Sequence, residues 1–239
     1  MKIILSPSKT QNNVIFNKDN TKTILFPDLT IKLFNYFQSL SKAKLQETLK
    51  IKGKLLEDTY KLYQAFNPKN QTIKAIDCYK GVAYEQIDTN RYNKNQVSYL
   101  NNNLIILSAM YGILKPNTSI WPYRLDMTIK PNNINLYKYW KENIDNFFKE
   151  TNYTINLASN EFSKMINNEK LINIHFLEKR NNKLKSISYN AKKARGKMVH
   201  EMVLNQINNL DQLKKITVDD YVFEKNMSNE KDLYFIKQE

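Results

Sequence analysis

Apolar positions along the chain fall alternately into short continuous runs and into stripes of helical period. Residues 2–5, KIIL, predict a buried strand that ends at Ser6-Pro7, because proline has no N–H to give to a ladder. Residues 7–27 are rich in Asn, Lys and Thr and read as loop. Leu29, Leu33, Phe34 and Phe37 recur at helical spacing and predict an amphipathic helix over 29–40. Ser41 is placed to cap a second helix that runs through Leu45 and Leu49 to about residue 51. Gly53 interrupts it, and 55–66 resumes the helical period with Leu55, Thr59, Leu62 and Phe66 on one face. YKGVAY, 79–84, reads as a turn into a short helix, and LIIL, 104–107, as a buried strand.

Further on, 134–148 predicts a helix with Tyr137, Trp140, Ile144, Phe147 and Phe148 inward. Residues 153–157 predict a strand, and Ser159 an N-cap opening a helix. Residues 172–177 and 184–189 read as strands joined by a hairpin, 191–208 as a long helix, and 218–223 with 232–237 as a closing strand pair. Interleaved helices and strands, with both βα successions and hairpins, make the class mixed α/β (α+β). The expected architecture is one compact domain over 1–239, with a central, partly parallel sheet flanked by helices. No Pro/Gly/Ser-rich linker divides the chain and no 20-to-50-residue repeat is visible.

Composition narrows the classes. The opening apolar run is too short for a signal peptide and no later run reaches the length of a membrane span, so the expectation is a soluble, cytoplasmic protein with no membrane partner. One cysteine and two histidines, His175 and His200, provide neither an intrachain disulfide nor a Cys/His zinc cage. No structural metal and no cofactor are expected. The net charge of +14 changes the picture more: such a surplus draws polyanions, nucleic acid first, although lysine favoured merely as a solubilising residue gives the same total.

The chain has only four glycines, and each sits among polar residues. Gly53 lies between two helices with Lys50, Lys52 and Lys54 around it. Residues 41–66 therefore have the outline of a helix-hairpin-helix, whose backbone N–H groups face a phosphate, although a single glycine here fits an ordinary interhelical turn better, since that motif more often carries two. In YNAKKARGKMVH, 189–200, the stripe Ala191, Ala194, Met198, Met202 faces the core, while Lys192, Lys193, Lys197 and His200 spread over the other side. Arg195 stands at the edge and Gly196 in the midst of these cations, so either a phosphate lies against bare backbone there or the face is simply solvated. Residues 107–127 place Lys115, Trp121, Tyr123, Arg124 and Asp126 after a strand end. The aromatics are stacking groups for bases or core anchors, and Arg124 with Asp126 is a phosphate-and-proton site or a structural ion pair. Glu161 is a general acid or base, or a first-turn capping carboxylate. Ser159 has no histidine near it in sequence and no G-x-S-x-G elbow, and no P-loop or dinucleotide fingerprint occurs.

LSPSKT, YKGVAY, ILSAMYGILKPNTSIWPYRLDM, NLASNEF and YNAKKARGKM, in that order, resemble the YaaA family of bacterial peroxide-stress proteins over essentially the whole chain. The resemblance implies a mixed α/β fold with a positively charged cleft, binding of double-stranded DNA with a helix-hairpin-helix element, and a role in limiting iron-driven oxidative damage. Matched residue by residue, it makes Ser6, Lys9, Tyr123, Arg124, Lys192, Lys193 and Arg195 the cleft residues. The hairpin departs from the pattern in keeping Gly53 alone. The rival reading is an enzyme acting on a nucleotide or nucleobase, with Glu161 or Asp126 moving the proton. Direct iron sequestration is disfavoured by the scarcity of Cys and His.

Overall fold

In the computed structural model, residues 1–12, 23–67, 73–166, 169 and 171–238 are described. Part of the loop expected over 7–27 lies outside them. β1 (Lys2–Leu5) hydrogen-bonds in parallel to a strand on each side, which is why Ile3 and Ile4 are fully buried and the run has no polar alternation. The remaining strands are β2 (Ile73–Lys74), β3 (Leu104–Ser108), β4 (Gly112–Leu114), β5 (Ser119–Ile120), β6 (Thr154–Asn156), β7 (Leu171–Arg180), β8 (Lys183–Lys185), β9 (Tyr221–Phe223) and β10 (Asp232–Lys237). The main sheet runs β4-β3-β1-β6-β7-β10-β9, with β8 paired to β7, and β2 with β5 makes a separate two-stranded ladder. β3, β1, β6, β7 and β10 are parallel, while β4, β8 and β9 add antiparallel edges. The class is the mixed α/β one expected from the sequence.

The helices are α1 (Pro27–Ser39), α2 (Lys42–Leu49), α3 (Lys54–Gln64), α4 (Ala75–Cys78), α5 (Lys94–Asn103), α6 (Leu136–Phe148), α7 (Asn160–Ser163), α8 (Ser188–Leu204) and α9 (Leu210–Leu213). α5 packs on β1 and α8, α8 on β7, and α6 on β4. Ser41 caps α2 by accepting from the Lys44 N–H, as its position requires. α3 buries Leu56, Thr59 and Tyr63, so its inward face is turned by one residue from the expected stripe and Leu55 is left 40% or more exposed, at 42%. The reason is Tyr63, outside the expected stripe, whose ring is fully buried while its hydroxyl donates to the Arg124 carbonyl at 2.7 Å. The strand expected over 184–189 stops at Lys185, and α8 begins at Ser188, ahead of the expected residue 191.

Carboxylates hold the C-terminal third. Burial pushes the Glu178 carboxyl up, but hydrogen bonds from Asn190, Tyr221 and Arg180 outweigh it and hold it below the ordinary range. Asp219 is likewise held low, its desolvation outweighed by Lys197 and Lys193, and Asp232 is lowered chiefly by its bond to His175. Because each folded value lies below its unfolded one, the stabilisation is present above the unfolded pKa and is lost as pH falls toward the folded pKa. We therefore expect the urea midpoint to fall between about pH 5 and about pH 3; an unchanged midpoint there contradicts these assignments.

Candidate functional site: a cationic cleft at the strand ends

The carboxyl ends of β1 and β6 open side by side, with β3 beyond β1, so loops leaving neighbouring parallel strands part around a common crevice. A cleft of about 460 Å³ occupies it. Its walls come from Ser6–Gln11 after β1, Lys80–Tyr84 of the YKGVAY turn, Tyr123–Asp126, the Leu157–Phe162 region after β6, and Lys192 and Arg195 of α8.

Three ties fix these segments to one another. The Ser6 hydroxyl accepts from the Ser159 N–H at 2.8 Å and donates to the Ser159 Oγ at 3.1 Å, joining the β1 and β6 loops. Ser159 thus stands at the N-cap of α7, but its hydroxyl makes no cap bond. The Tyr84 hydroxyl donates to the Ser6 carbonyl at 2.7 Å and brings in the YKGVAY turn. The Glu161 Oε1 accepts from the Met127 N–H at 3.0 Å and pins the end of the 123–127 segment.

Within that segment, Asp126 pairs with Lys9 at 2.7 Å, and the Arg124 side chain forms no ion pair among the described residues. The Arg124–Asp126 pair weighed from the sequence is therefore absent, replaced by one between segments far apart in the chain. Tyr123 is a buried wall, 4% exposed, its hydroxyl bonded to Tyr79 at 2.9 Å and Ser108 at 2.7 Å. Burial pushes its phenol well above the ordinary value. Trp121 lies off the cleft, its indole N–H on the Leu62 carbonyl and its ring edge-on to Phe66, which makes it the core anchor of the two readings.

Gly196 requires a correction. It was read as lying on the polar side with no packing reason, leaving bare backbone for a phosphate; instead it is buried, and a Cβ on it would lie 2.0 Å from the Ala83 carbonyl oxygen. Its lack of a side chain lets α8 seat directly on the YKGVAY turn, and that contact carries Lys192 and Arg195 to the cleft wall. Gly53 also has another cause. It is the N-cap of α3 at φ 60° and ψ −142°, a conformation nearly confined to glycine, and a Cβ there would meet nothing within 4 Å.

Lys193 does not line the cleft. It reaches Asp219 at 3.3 Å, where Lys197 also pairs. Lys50, Lys52 and Lys54 are exposed around the α2–α3 turn and are not part of the cleft wall, and Lys42 of α2 pairs with Glu57 of α3. The sequence reading missed Lys80, Val82 and Tyr84 as cleft residues although it singled out YKGVAY, because one lysine in a turn does not show which distant segments the turn faces.

Arg195 is the most distinctive group. Its Nε is wholly buried without a hydrogen-bond partner, no carboxylate pairs with the side chain among the described residues, and burial lowers its pKa. Lys80, Arg124 and Lys192 also line the cleft without an ion pair among those residues. Cationic groups thus converge there with only Asp126 and Glu161 as acidic lining, and one of these is already taken by Lys9. Among the described residues no group of His, Cys, Asp and Glu is arranged to hold a metal ion, and no helix is long and apolar enough to cross a membrane.

An α/β protein with a cation-lined crevice at its parallel strand ends is the class that fold and site define. The family model described as peroxide stress protein YaaA matches residues 1–227. A UPF0246 protein of Fusobacterium nucleatum subsp. nucleatum is 38% identical over 247 residues, covering 100% of this chain and 99% of its own length. A UPF0246 protein of Rickettsia felis is 38% identical over 250 residues with full coverage of both, and one of Rickettsia bellii is 37% identical over 249 residues. The chain belongs to the YaaA family of peroxide stress proteins.

Proposed function

We propose that the protein is a cytoplasmic peroxide-stress protein that binds double-stranded DNA through the cationic cleft and limits iron-driven oxidative damage to it. The single observation that carries the reading is the convergence of Lys80, Arg124, Lys192 and Arg195 on one cleft without carboxylate partners among the described residues. Of these Arg195 is the one with a buried, unpartnered guanidinium nitrogen, which is unfavourable in the free protein, and an anionic ligand relieves that cost. The net charge of +14 adds a long-range field that steers a polyanion inward. In this reading the exposed Lys50, Lys52 and Lys54, at the turn before the α3 N-terminus, make a second contact to the phosphate backbone as a helix-hairpin-helix does.

Binding is better supported than turnover. Both candidate proton-transfer carboxylates hold structural bonds, Asp126 to Lys9 and Glu161 to the Met127 N–H. The test is duplex binding by fluorescence anisotropy at low salt. Arg124→Ala and Lys192→Ala are each expected to weaken it by about tenfold, the scale of one charge-assisted contact, and the triple exchange of Lys50, Lys52 and Lys54 to Ala to weaken it further. Wild-type affinity in all of these variants rules the reading out.

A further inference from the structure

The cleft holds more than a strip of DNA backbone requires. At about 460 Å³ it has the size of a small-molecule pocket, far larger than a phosphate group fills. Its lining is also of mixed character. Val82, Leu125, Leu157, Phe162 and Tyr84 give it apolar surface, while Lys192 and Arg195 of α8, with Lys80 and Arg124, give it unpaired cations. A surface built only for phosphates has no use for the carboxylates of Asp126 and Glu161, which repel them. Each of these keeps one oxygen without a partner among the described residues, since Lys9 takes Asp126 Oδ2 and the Met127 N–H takes Glu161 Oε1. A ligand that satisfies the whole lining has an anionic end, a flat apolar body and an N–H donor.

We propose that the cleft is a pocket for one nucleoside 5′-monophosphate unit, with Arg195 and Lys192 taking the phosphate, the apolar lining around Tyr84 and Phe162 taking the base, and Asp126 or Glu161 accepting from an exocyclic amine. The inference rests on the reading of this cleft as the DNA-binding site and sharpens it. Duplex DNA passes along the mouth, and a single nucleotide turned out of the stack enters, since a paired base cannot reach a crevice of this kind. Free nucleotide has the same chemistry, so the experiment separates the two sources.

The first arm is titration calorimetry of the whole chain with dAMP, dCMP and dTMP, with deoxyadenosine, deoxycytidine and inorganic phosphate as controls. Expected is that dAMP or dCMP binds at least about tenfold more tightly than its nucleoside, than phosphate and than dTMP, which lacks the amine. Arg195→Met is expected to remove at least about tenfold of the nucleotide affinity, and Lys192→Ala, at an exposed position, serves the same purpose if the first variant fails to fold. The second arm is a duplex carrying 2-aminopurine opposite an abasic site, whose fluorescence rises if the base is drawn out on binding. A rise assigns the pocket to extruded nucleotide. Nucleotide binding without a rise assigns it to free nucleotide, and the pocket stands. Duplex binding with neither nucleotide affinity nor a rise overturns the inference and leaves the DNA reading intact. Nucleotide binding without any duplex affinity does the reverse.

Discussion

Gly196→Val lowers the melting temperature by about 6–12 °C, equivalent to about 3 kcal/mol, and weakens DNA binding with it. The sign separates two accounts of this glycine. Helix propensity alone makes almost any residue but proline better than glycine within α8, by up to about 1 kcal/mol, and predicts a more stable variant. The packing account predicts the opposite, because even a Cβ would stand 2.0 Å from the Ala83 carbonyl oxygen and that atom is backbone, which cannot rotate away. Relief needs α8 and the YKGVAY turn to part by more than an ångström. The distance matters for function as well as stability, since α8 carries Lys192 and Arg195 and the adjoining turn carries Lys80 and Tyr84 in the cleft wall. Gly196→Ala shifts both properties in the same direction by less. Thermal melting together with duplex anisotropy checks this, and a stabilised valine variant sinks the packing account.

Arg195→Met separates binding from stability in the opposite way. The guanidinium has a buried Nε without a partner and no ion pair among the described residues, so burial costs it hydration that the free protein does not give back. Methionine of similar length removes a cost of about 1–3 kcal/mol and keeps the apolar contacts of the stem. The melting temperature should hold or rise by a few degrees, while duplex affinity falls by at least about tenfold. Such opposed changes mark a group retained for a ligand rather than for the fold. A variant that melts well below the wild type makes Arg195 structural, and one that binds DNA normally removes it from the site.

Much of the fold was legible because buried parallel strands leave continuous apolar runs: KIIL and LIIL became β1 and β3 with their expected cores. α5 was not read, since KNQVSYLNNN buries only Tyr99 and Leu100 and shows little stripe. Its sole local signal is the capping box of Asn93 and Gln96. The site was legible as a set of motifs but not as contacts. Asp126 was weighed against its neighbour Arg124 when its partner is Lys9, and Gly196 was read against its own helix when its reason is Ala83. Local periodicity carries the face a residue presents, but not which distant segment the topology brings against it. Lys193, adjacent to Lys192, illustrates the limit: one helical step of about 100° directs it to Asp219 instead of the cleft.

The most direct measurement is duplex affinity as a function of salt between about 50 and about 200 mM. Engagement of Lys80, Arg124, Lys192 and Arg195 with phosphates, together with Lys50, Lys52 and Lys54 at the second contact, predicts a log–log slope of about −6, at about −0.9 per contact, and a shallower slope by about one unit for Arg124→Ala. A flat dependence contradicts a DNA-binding cleft.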